Sequence, residues 1–573
     1  MTPTPSPADQ SDQSGRPRPA FLDDYARTRF RRRLSPLSRV PATGRIGEAW
    51  HLAARHGRSG PVIVDRAPDV DPQGPLERSY EEWARLVDDL ASRLYALGVR
   101  PWDRVAVIKR NHLDVALLAS AAARIGAIPA LITDNHPAGT LVVLLQRLER
   151  PFLVADRPVL ERLALDEDGL ARLTERTACV GTPLPGRSDV AAFAELAGGP
   201  VPRVRMRRPH EPMVITHTSG TTGVPKLVLH SAQSLYSLGL VETERWPLIR
   251  LRRSDTVAFC HPYSHQRVIT GLLPLTTVGP KLLMLSDPES PTAHALLAEH
   301  APTLVETLPN AFLAWEDLAR DPRRPFRNVR LFINSFDAIH TRTVRTFLAA
   351  TDRRLPVWVQ SWSQTEAGAV AIRPYLRGSV RRRGTRPPPT QNLGWPIPGF
   401  GKVRAIAPES GDPVPAGQVG LIQFSAPGRC LGYVGEQKRH TAKCEGSWWN
   451  LGDMAVISRW GAVRLIDREI DRIPGTSALE IEDVLLDRLP QITEVVVLAV
   501  RDASPQPVLS LREGSSLASE QWRRATADLP VMAAPVQIRW DEFPRTATWK
   551  IRRTLLREQL LSGADGVGFG RWT

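Results

Sequence analysis

Several groups of residues along this chain have the types and spacing that work on a polyphosphate requires. The densest is Thr216-His217-Thr218-Ser219-Gly220-Thr221-Thr222-Gly223-Val224-Pro225-Lys226. Gly220 and Gly223 free the backbone to turn N–H groups inward. The hydroxyls of Thr218, Ser219, Thr221 and Thr222 add rotatable donors, and Lys226 adds positive charge. Pro225 stands where a Walker A loop needs its G-K-[ST] spacing, so the run is not a P-loop. Farther on, Gln360-Ser361-Trp362-Ser363-Gln364-Thr365-Glu366 supplies a hydroxyl and a carboxylate side by side. Such a pair can reach a phosphoryl oxygen and hold Mg²⁺ beside phosphates. Asp453 follows Gly452, and an acceptor-only carboxylate at a tight glycine turn suits both hydroxyls of a ribose. Lys550 lies in Phe543-Pro544-Arg545-Thr546-Ala547-Thr548-Trp549-Lys550-Ile551-Arg552-Arg553. Taken singly, each group also has a plain reading: a solvated hairpin, a helix start, a simple turn, a surface lysine.

The elements around these residues must hold them. Met213-Val214-Ile215 and Leu227-Val228-Leu229 read as short buried strands flanking the first run, which makes that run a loop. Ser79-Tyr80-Glu81-Glu82 is a capping box. It opens a helix whose apolar stripe is Trp83, Leu86, Leu90, Leu94 and Leu97, and Gly98 ends it. A strand over Arg104–Ile108, a helix over Leu113–Arg124 stopped at Gly126, and a strand over Ile128–Ile132 follow. This alternation implies a parallel α/β sheet with helices on its faces. Similar units are expected around the phosphate loop and near Leu282–Leu285, Val329–Ile333 and Val357–Gln360. The last strand puts Thr365 and Glu366 at a strand's carboxyl end, where open α/β sheets bind ligands. A helix over Glu480–Leu489 and a strand over Val495–Val500 suggest a small α+β domain near the C-terminus.

Read together and in order, these blocks resemble the adenylate-forming superfamily of acyl-CoA synthetases, nonribosomal-peptide adenylation domains and luciferases. T-S-G-T-T-G-x-P-K is similar to its phosphate loop, and W-x-Q-T-E to its Y-G-x-T-E block. Pro262-Tyr263-Ser264-His265 resembles P-x-x-H, which opens one wall of the acid pocket; a structural role for His265 stays open beside that. Asn392-Leu393-Gly394-Trp395-Pro396-Ile397-Pro398-Gly399 resembles G-x-P-x-P-G. Val419–Phe424 with Cys430-Leu431-Gly432-Tyr433 resembles G-E-L-x-x-x-G…G-Y, with Gly420 where an acidic residue is usual. Trp448-Trp449-Asn450-Leu451-Gly452-Asp453 resembles W-[FY]-x-T-G-D, and the run ending in Lys550 resembles P-x-T-x-x-G-K-x-x-R.

The resemblance implies a large N-terminal α/β domain with a β-rich subdomain over residues 39–466. It also implies a mobile C-terminal α+β lid over 467–573, with a disordered arm over 1–38 ahead of both. It implies ATP and Mg²⁺ as cofactors, with the Gly220–Gly223 loop on the phosphates and Lys226 beside it. Glu366 would be the metal ligand, Thr365 would steady the α-phosphate, and Asp453 would hold the ribose. Trp362 and Arg468 join the nucleotide contacts, and Lys550 is the adenylation lysine. His265, Phe336, Ser363 and Gly394 line the substrate pocket, and Ile470 or Asp471 is the hinge. A small carboxylic acid becomes an acyl adenylate with release of pyrophosphate, and the acyl group passes to CoA, to a carrier-protein thiol, or to an amine or other unusual acceptor.

Departures from the pattern are informative. Ser335 and Phe336 replace both glycines of S-G-G-E-A, Asp467 replaces the glycine of G-R-x-D, and Trp549 replaces the glycine before the lysine. They keep a non-catalytic nucleotide-binding protein as a reading from another class. Ser363 stands where acetate-specific relatives carry a second tryptophan, so a larger acid is expected. No F-D pair is present to hold an α-ammonium, which disfavours an amino acid.

Composition agrees with an enzyme of this kind. A length of 573 residues exceeds one core and implies two or more domains. The net charge of +15 is spread along the chain, without a helix-turn-helix, zinc or RNP signal, which excludes a nucleic-acid binder and favours anionic substrates. No apolar stretch reaches membrane-spanning length, and the start lacks a secretory pattern. The 4 cysteines are scattered without a CxxC pair, as expected in a reducing cytoplasm.

Overall fold

Local signals in the chain become the expected elements. In the computed structural model the helix Tyr80–Leu97 starts at the Ser79 capping box, with Ser79 Oγ accepting from Glu82 N–H, and ends at Gly98 with φ 109°. The helix Asp114–Ile125 stops at Gly126, φ 86°, and lies in sequence between the parallel strands Arg104–Lys109 and Ile128–Thr133. Both stops are left-handed positions, where glycine carries no Cβ penalty. The structure describes residues 44–57, 60–218, 224–243, 246–380, 389–468, 477–500, 503–546 and 549–561. The arm over 1–38, Ser219–Gly223 of the phosphate loop, and the hinge candidates Ile470 and Asp471 lie outside the described residues.

The described chain divides into two units. The first runs to Leu297 and includes Thr365–Gly368 and Pro427–Cys444. It holds an eight-stranded sheet in the order Gly432–Tyr433, Leu227–Ser231, Pro212–His217, Ile128–Thr133, Arg104–Lys109, Phe152–Asp156, Thr177–Val180, Val190–Ala192. The strands from Pro212–His217 onward pair in parallel. The phosphate-loop flanks do not form a strand–helix–strand unit. They pair antiparallel, with Thr216 opposite Val228 and His217 opposite Leu227. A connection this short can only reverse the chain, since a parallel return needs a crossover of a dozen or more residues. A second group of strands in this unit, Thr256–Cys260, Lys281–Leu285 and Val62–Val64, is parallel and is edged by the antiparallel Glu77–Arg78.

The second unit comprises Ala298–Gln364, Ala369–Ala426 and the chain from Glu445 onward. Leu304–Thr307, Leu331–Asn334 and Val357–Gln364 are parallel. The strands after the Thr365–Glu366 turn, Gly368–Tyr375 and Asn392–Pro396, then Val463–Arg468, Trp448–Ile457, Val419–Ser425 and Lys402–Ile406, continue as an antiparallel, β-rich region. Phe312, Phe326, Phe332, Phe347 and Trp358 pack ring on ring beneath the parallel strands.

The small C-terminal α+β region has a three-stranded sheet of Ile492–Leu498, Gln506–Leu511 and Val536–Gln537. Strand alternation sends Val495 and Val497 to one core with the helix Ala478–Arg488, and Val496 and Leu498 to another with Phe543 and Leu556. The expected fold class, a large α/β domain with β-rich sheets and a small α+β C-terminal region, is the one found.

Charged groups fasten that C-terminal region to the helix Thr341–Ala350 within the second unit. Thr341 N–H and Oγ1–H donate to Asp483 at 2.8 and 3.0 Å. Arg342 donates to the carbonyls of Leu486 and Ile492, and Glu316 receives Thr343 Oγ1–H and Arg512. His340 lies between Asp483 and Glu494, each 3.7 Å from a ring nitrogen. Burial opposes its charge, yet the two carboxylates outweigh burial and raise its pKa to about 10. The stabilisation from this imidazolium is complete below the unfolded histidine pKa of about 6.5 and is lost as the pH rises through about 10. The difference in melting temperature between the wild type and His340→Gln should therefore be greatest near pH 6 and vanish near pH 10. A pH-independent difference would mean that His340 contributes by packing alone.

Candidate active site

The base of the phosphate loop is held by two bonds: Thr218 N–H donates to Lys226 O at 3.0 Å, and Lys226 N–H to Thr218 Oγ1 at 3.1 Å. His217 secures the strand end beside it. Its Nδ1 donates to Thr218 O at 2.8 Å and its Nε2 accepts Thr133 N–H at 3.2 Å, which fixes one neutral tautomer. Burial lowers its pKa, in keeping with that neutral form.

Thr365 and Glu366 sit in the turn after the strand Val357–Gln364, not at a helix start. Both are buried, at 8% and 5% exposure. Three interactions fix this turn. His230, fully buried and pushed down to a pKa of about 4 by desolvation, donates from Nε2 to Thr365 O at 2.9 Å. Cys430 N–H donates to Glu366 O at 2.7 Å, and Tyr433 Oη donates to Glu366 Oε1 at 2.5 Å. Tyr433 belongs to the edge strand paired with Val228 and Leu229, so the loop hairpin and the Glu366 carboxylate share one support. Lys226 Nζ lies 5.3 Å from the centre of the Tyr433 ring, a cation–π distance. Burial lowers the Lys226 pKa, with Glu366 opposing.

His265 serves two purposes. It caps the helix Gln266–Val278 through Nδ1, which accepts Arg267 N–H at 3.0 Å. Its Nε2 is 3.4 Å from Thr365 Oγ1. Capping and proximity to the reacting groups are thus both present in the first unit.

The other residues singled out lie in the second unit. Strand alternation puts Trp362 and Gln364 on one face and Ser361 and Ser363 on the other. Gln364 Nε2 donates to Leu451 O at 2.6 Å, and Trp449 Nε1 donates to Gln364 Oε1 at 3.2 Å. These bonds tie the strand before Glu366 to the strand that carries Asp453. Gly452 has the expected left-handed backbone, φ 77°, but it lies inside the strand Trp448–Ile457 rather than at a free turn. Asn450 Oδ1 accepts its N–H at 2.8 Å. Asp453 is 9% exposed and pairs across the ladder with Arg468, of which only the backbone lies within the described residues.

Gly394, φ 81°, faces the main chain of Ile372, where a Cβ would stand 2.0 Å from the carbonyl oxygen, so packing alone requires a glycine. Phe336 follows Asn334, whose Oδ1 accepts Trp358 Nε1–H at 2.7 Å. It is half-buried with φ 79°. Trp549, also half-buried, has φ 57°. Both aromatic residues therefore keep the left-handed backbone of the glycines they replace, at about 1–2 kcal/mol each. Lys550 N–H donates to Thr546 Oγ1 at 3.2 Å and its carbonyl accepts Thr546 N–H at 2.7 Å, closing a tight hairpin.

Sequence reasoning missed His230, Tyr433 and Gln364. His230 had a usable signal, a histidine inside an otherwise apolar buried strand. Tyr433 was visible only as part of a G-Y pattern.

A family model described as AMP-binding enzyme matches residues 53–434. The chain belongs to that family. It is an adenylate-forming, acyl-CoA synthetase-like protein, and its chemistry is the AMP-forming activation of an acid by ATP. A 3-amino-2-hydroxy-4-methoxybenzoate diazotase from Streptomyces cremeus is 36% identical over 91% of this chain and 97% of its own length. A 3-aminoavenalumate diazotase from Streptomyces sp is 26% identical over 76% of each chain. Among solved structures, an anthranilate CoA ligase, AuaEII, in complex with anthranoyl-AMP matches at a TM-score of 0.75 and 19% identity. That match covers 93% of this chain and 99% of the other, a likeness of fold.

The AMP-binding family implies Mg²⁺ with the nucleotide. Among the described residues no group of three or more His, Cys, Asp or Glu side chains converges to hold a metal. The buried Glu366 carboxylate is a hard oxygen donor of the kind Mg²⁺ takes singly, with phosphate oxygens and water as its other ligands, so the residues present fit the ion. Tyr433→Phe removes the donor to this buried carboxylate and should lower stability by about 1–3 kcal/mol. Urea unfolding should show a lower midpoint at unchanged slope; an unchanged midpoint would show that the hydroxyl is dispensable to the turn.

Proposed function

We propose that this protein is an ATP-dependent diazotase, which activates nitrite as its acid and delivers the nitrosyl group to an aryl amine. The observation that carries this reading is the 36% identity with the Streptomyces cremeus diazotase across nearly the full length of both chains. The amine, one acceptor among several in the sequence analysis, becomes the acceptor, ahead of CoA or a carrier protein.

The chemistry balances on these terms. A nitrite oxygen attacks the α-phosphorus of ATP, and pyrophosphate leaves, giving a mixed anhydride of nitrite and AMP. The amine nitrogen attacks the nitrosyl nitrogen, the N–O bond to AMP breaks, and AMP departs with the electron pair while the amine loses a proton. The resulting N-nitrosoaniline tautomerises to a diazohydroxide and loses hydroxide to give the aryl diazonium ion. No oxidant or reductant is needed, because nitrite already supplies nitrogen at the required level.

Each residue has a role in the first step. Thr218, Lys226 and the Ser219–Gly223 loop hold the phosphates, Thr365 steadies the α-phosphate, and Asp453 holds the ribose, with Trp362 and Arg468 on the nucleotide. Mg²⁺ held through Glu366 supplies charge neutralisation on the phosphates. Lys550 stabilises the negative charge that builds at the α-phosphorus, and Lys550→Ala should reduce adenylation about 10²–10³-fold. His265, Phe336 and Ser363 contact the second substrate. The room left at Ser363 and the flat apolar ring of Phe336 favour an aromatic one.

Purified protein with ATP, Mg²⁺, nitrite and 3-amino-2-hydroxy-4-methoxybenzoate should release pyrophosphate and yield a diazonium ion, captured as a coloured azo product with a naphthol. Both products should require nitrite. Pyrophosphate release without nitrite, with a hydroxamate formed on adding hydroxylamine or a thioester on adding CoA, would overturn this reading in favour of an acid:CoA ligase.

A further inference from the structure

The Lys550 hairpin has an attachment that none of its own residues provides. Asn310 Nδ2 donates a hydrogen bond to the carbonyl of Trp549, the residue immediately before Lys550, from the first turn of the helix Pro309–Ala314. Both partners lie in the second unit. Trp549 N–H donates to Thr546 O at 2.9 Å, and Thr546, itself buried, closes the hairpin from its other side through Lys550 N–H and O. Arg552 N–H donates to Pro544 O at 2.7 Å, and Arg545 bridges to Ile551, so the hairpin is a closed unit.

Within it the Trp549 peptide is the exposed corner. A tryptophan at φ 57° holds this conformation only when its surroundings over-determine it. Its carbonyl direction sets the orientation of the following peptide plane, and with it the Cα–Cβ vector of Lys550.

We propose that Asn310 is a positioning residue, which locks the strained Trp549 peptide and thereby aims Lys550 for the adenylation step. This rests on the reading of Lys550 as the adenylation lysine. The side-chain amide suits the task because it presents a donor to a carbonyl from a rigid helix start; an aspartate of the same shape has only acceptors to offer. Asn310→Asp therefore removes the bond and sets a negative charge against the carbonyl. Its charge lies in the first turn of a helix, where it is favourable, so the substitution does not weaken the helix that carries it.

Two measurements on the full chain test this. In hydrogen–deuterium exchange, Asn310→Asp and Asn310→Ala should each raise the exchange rate of the segment 544–552 about tenfold, with the segment 478–488 unchanged. Unaltered exchange in 544–552 would show that Asn310 does not hold the hairpin and would overturn the proposal.

In pyrophosphate–ATP exchange with nitrite, each variant should lower kcat about five- to tenfold at unchanged KM for ATP. In a Lys550→Ala background the same substitutions should have no further effect. An equal loss in that background would assign Asn310 a role apart from Lys550 and overturn the proposal. A Lys550→Ala enzyme as active as wild type would instead overturn the reading of Lys550, and the positioning role with it. Loosening of 544–552 together with a loss confined to the Lys550-containing enzyme is the supporting result.

Discussion

A buried carboxylate must be paired, and in this protein that requirement organises the first unit. Glu366 is held by its own backbone and by its side chain from one short segment, through Cys430 N–H and the Tyr433 hydroxyl. That segment can present both donors only because Gly432–Tyr433 lies along Val228–Leu229 as the last strand of the eight-stranded sheet. The same two residues belong to the hairpin that carries the phosphate loop, so loop and carboxylate cannot shift independently. His230, one position farther along that hairpin strand, reaches the carbonyl of Thr365. A neutral histidine, a phenol and a backbone amide thus convert a two-residue turn into a fixed point. A preorganised turn of this kind gives developing charge a ready-made environment without reorganisation at the moment of reaction.

The C-terminal region is attached by a different device. Its contacts with the helix Thr341–Ala350 are dominated by charged groups: Asp483, Asp487 and Glu494 face His340, Thr341 and Arg345, while Arg342 and Arg512 converge on Glu316. Paired buried charges contribute less net stability than apolar packing of the same volume, but they tolerate few alternative alignments. The arrangement specifies one docked position more than it strengthens it. The strand Ile492–Leu498, apolar on both faces, supplies the cohesion within the region itself.

Much of this was legible in the sequence where the signal is local. The Ser79 capping box, the stops at Gly98 and Gly126, and the strand leading to Thr365 depend on residues a few positions apart, and each forms as read. The order of the blocks carried the family. What could not be read depends on pairing across long separations. The antiparallel pairing of the loop flanks follows from loop length acting on strand partners, which composition does not encode. Gly452-Asp453 reads as a turn because glycine followed by aspartate favours one, yet the ladder on either side of the strand Trp448–Ile457 absorbs the left-handed residue as an irregularity. His230 and Thr365 are 135 residues apart, and Asn310 and Trp549 are 239 apart. No window on the sequence would have joined them. Gly394 illustrates the opposite error, a residue assigned to the substrate whose need for glycine is met entirely by the backbone of Ile372.

Phe336 and Trp549 leave the protein with a reserve of thermodynamic stability that it does not use. Each is a side chain placed where the backbone prefers none, and restoring glycine at either position would relax the chain without altering its path. Engineering for robustness would therefore find these two sites early, since they are among the few where a single change removes strain rather than a contact. The tension lies in what the rings do for the substrate and for the neighbouring lysine. A variant selected for heat resistance alone would drift toward the generic glycine pattern and shed the features that set this enzyme's choice of chemistry. Stability and selectivity are traded against each other at the same two α-carbons.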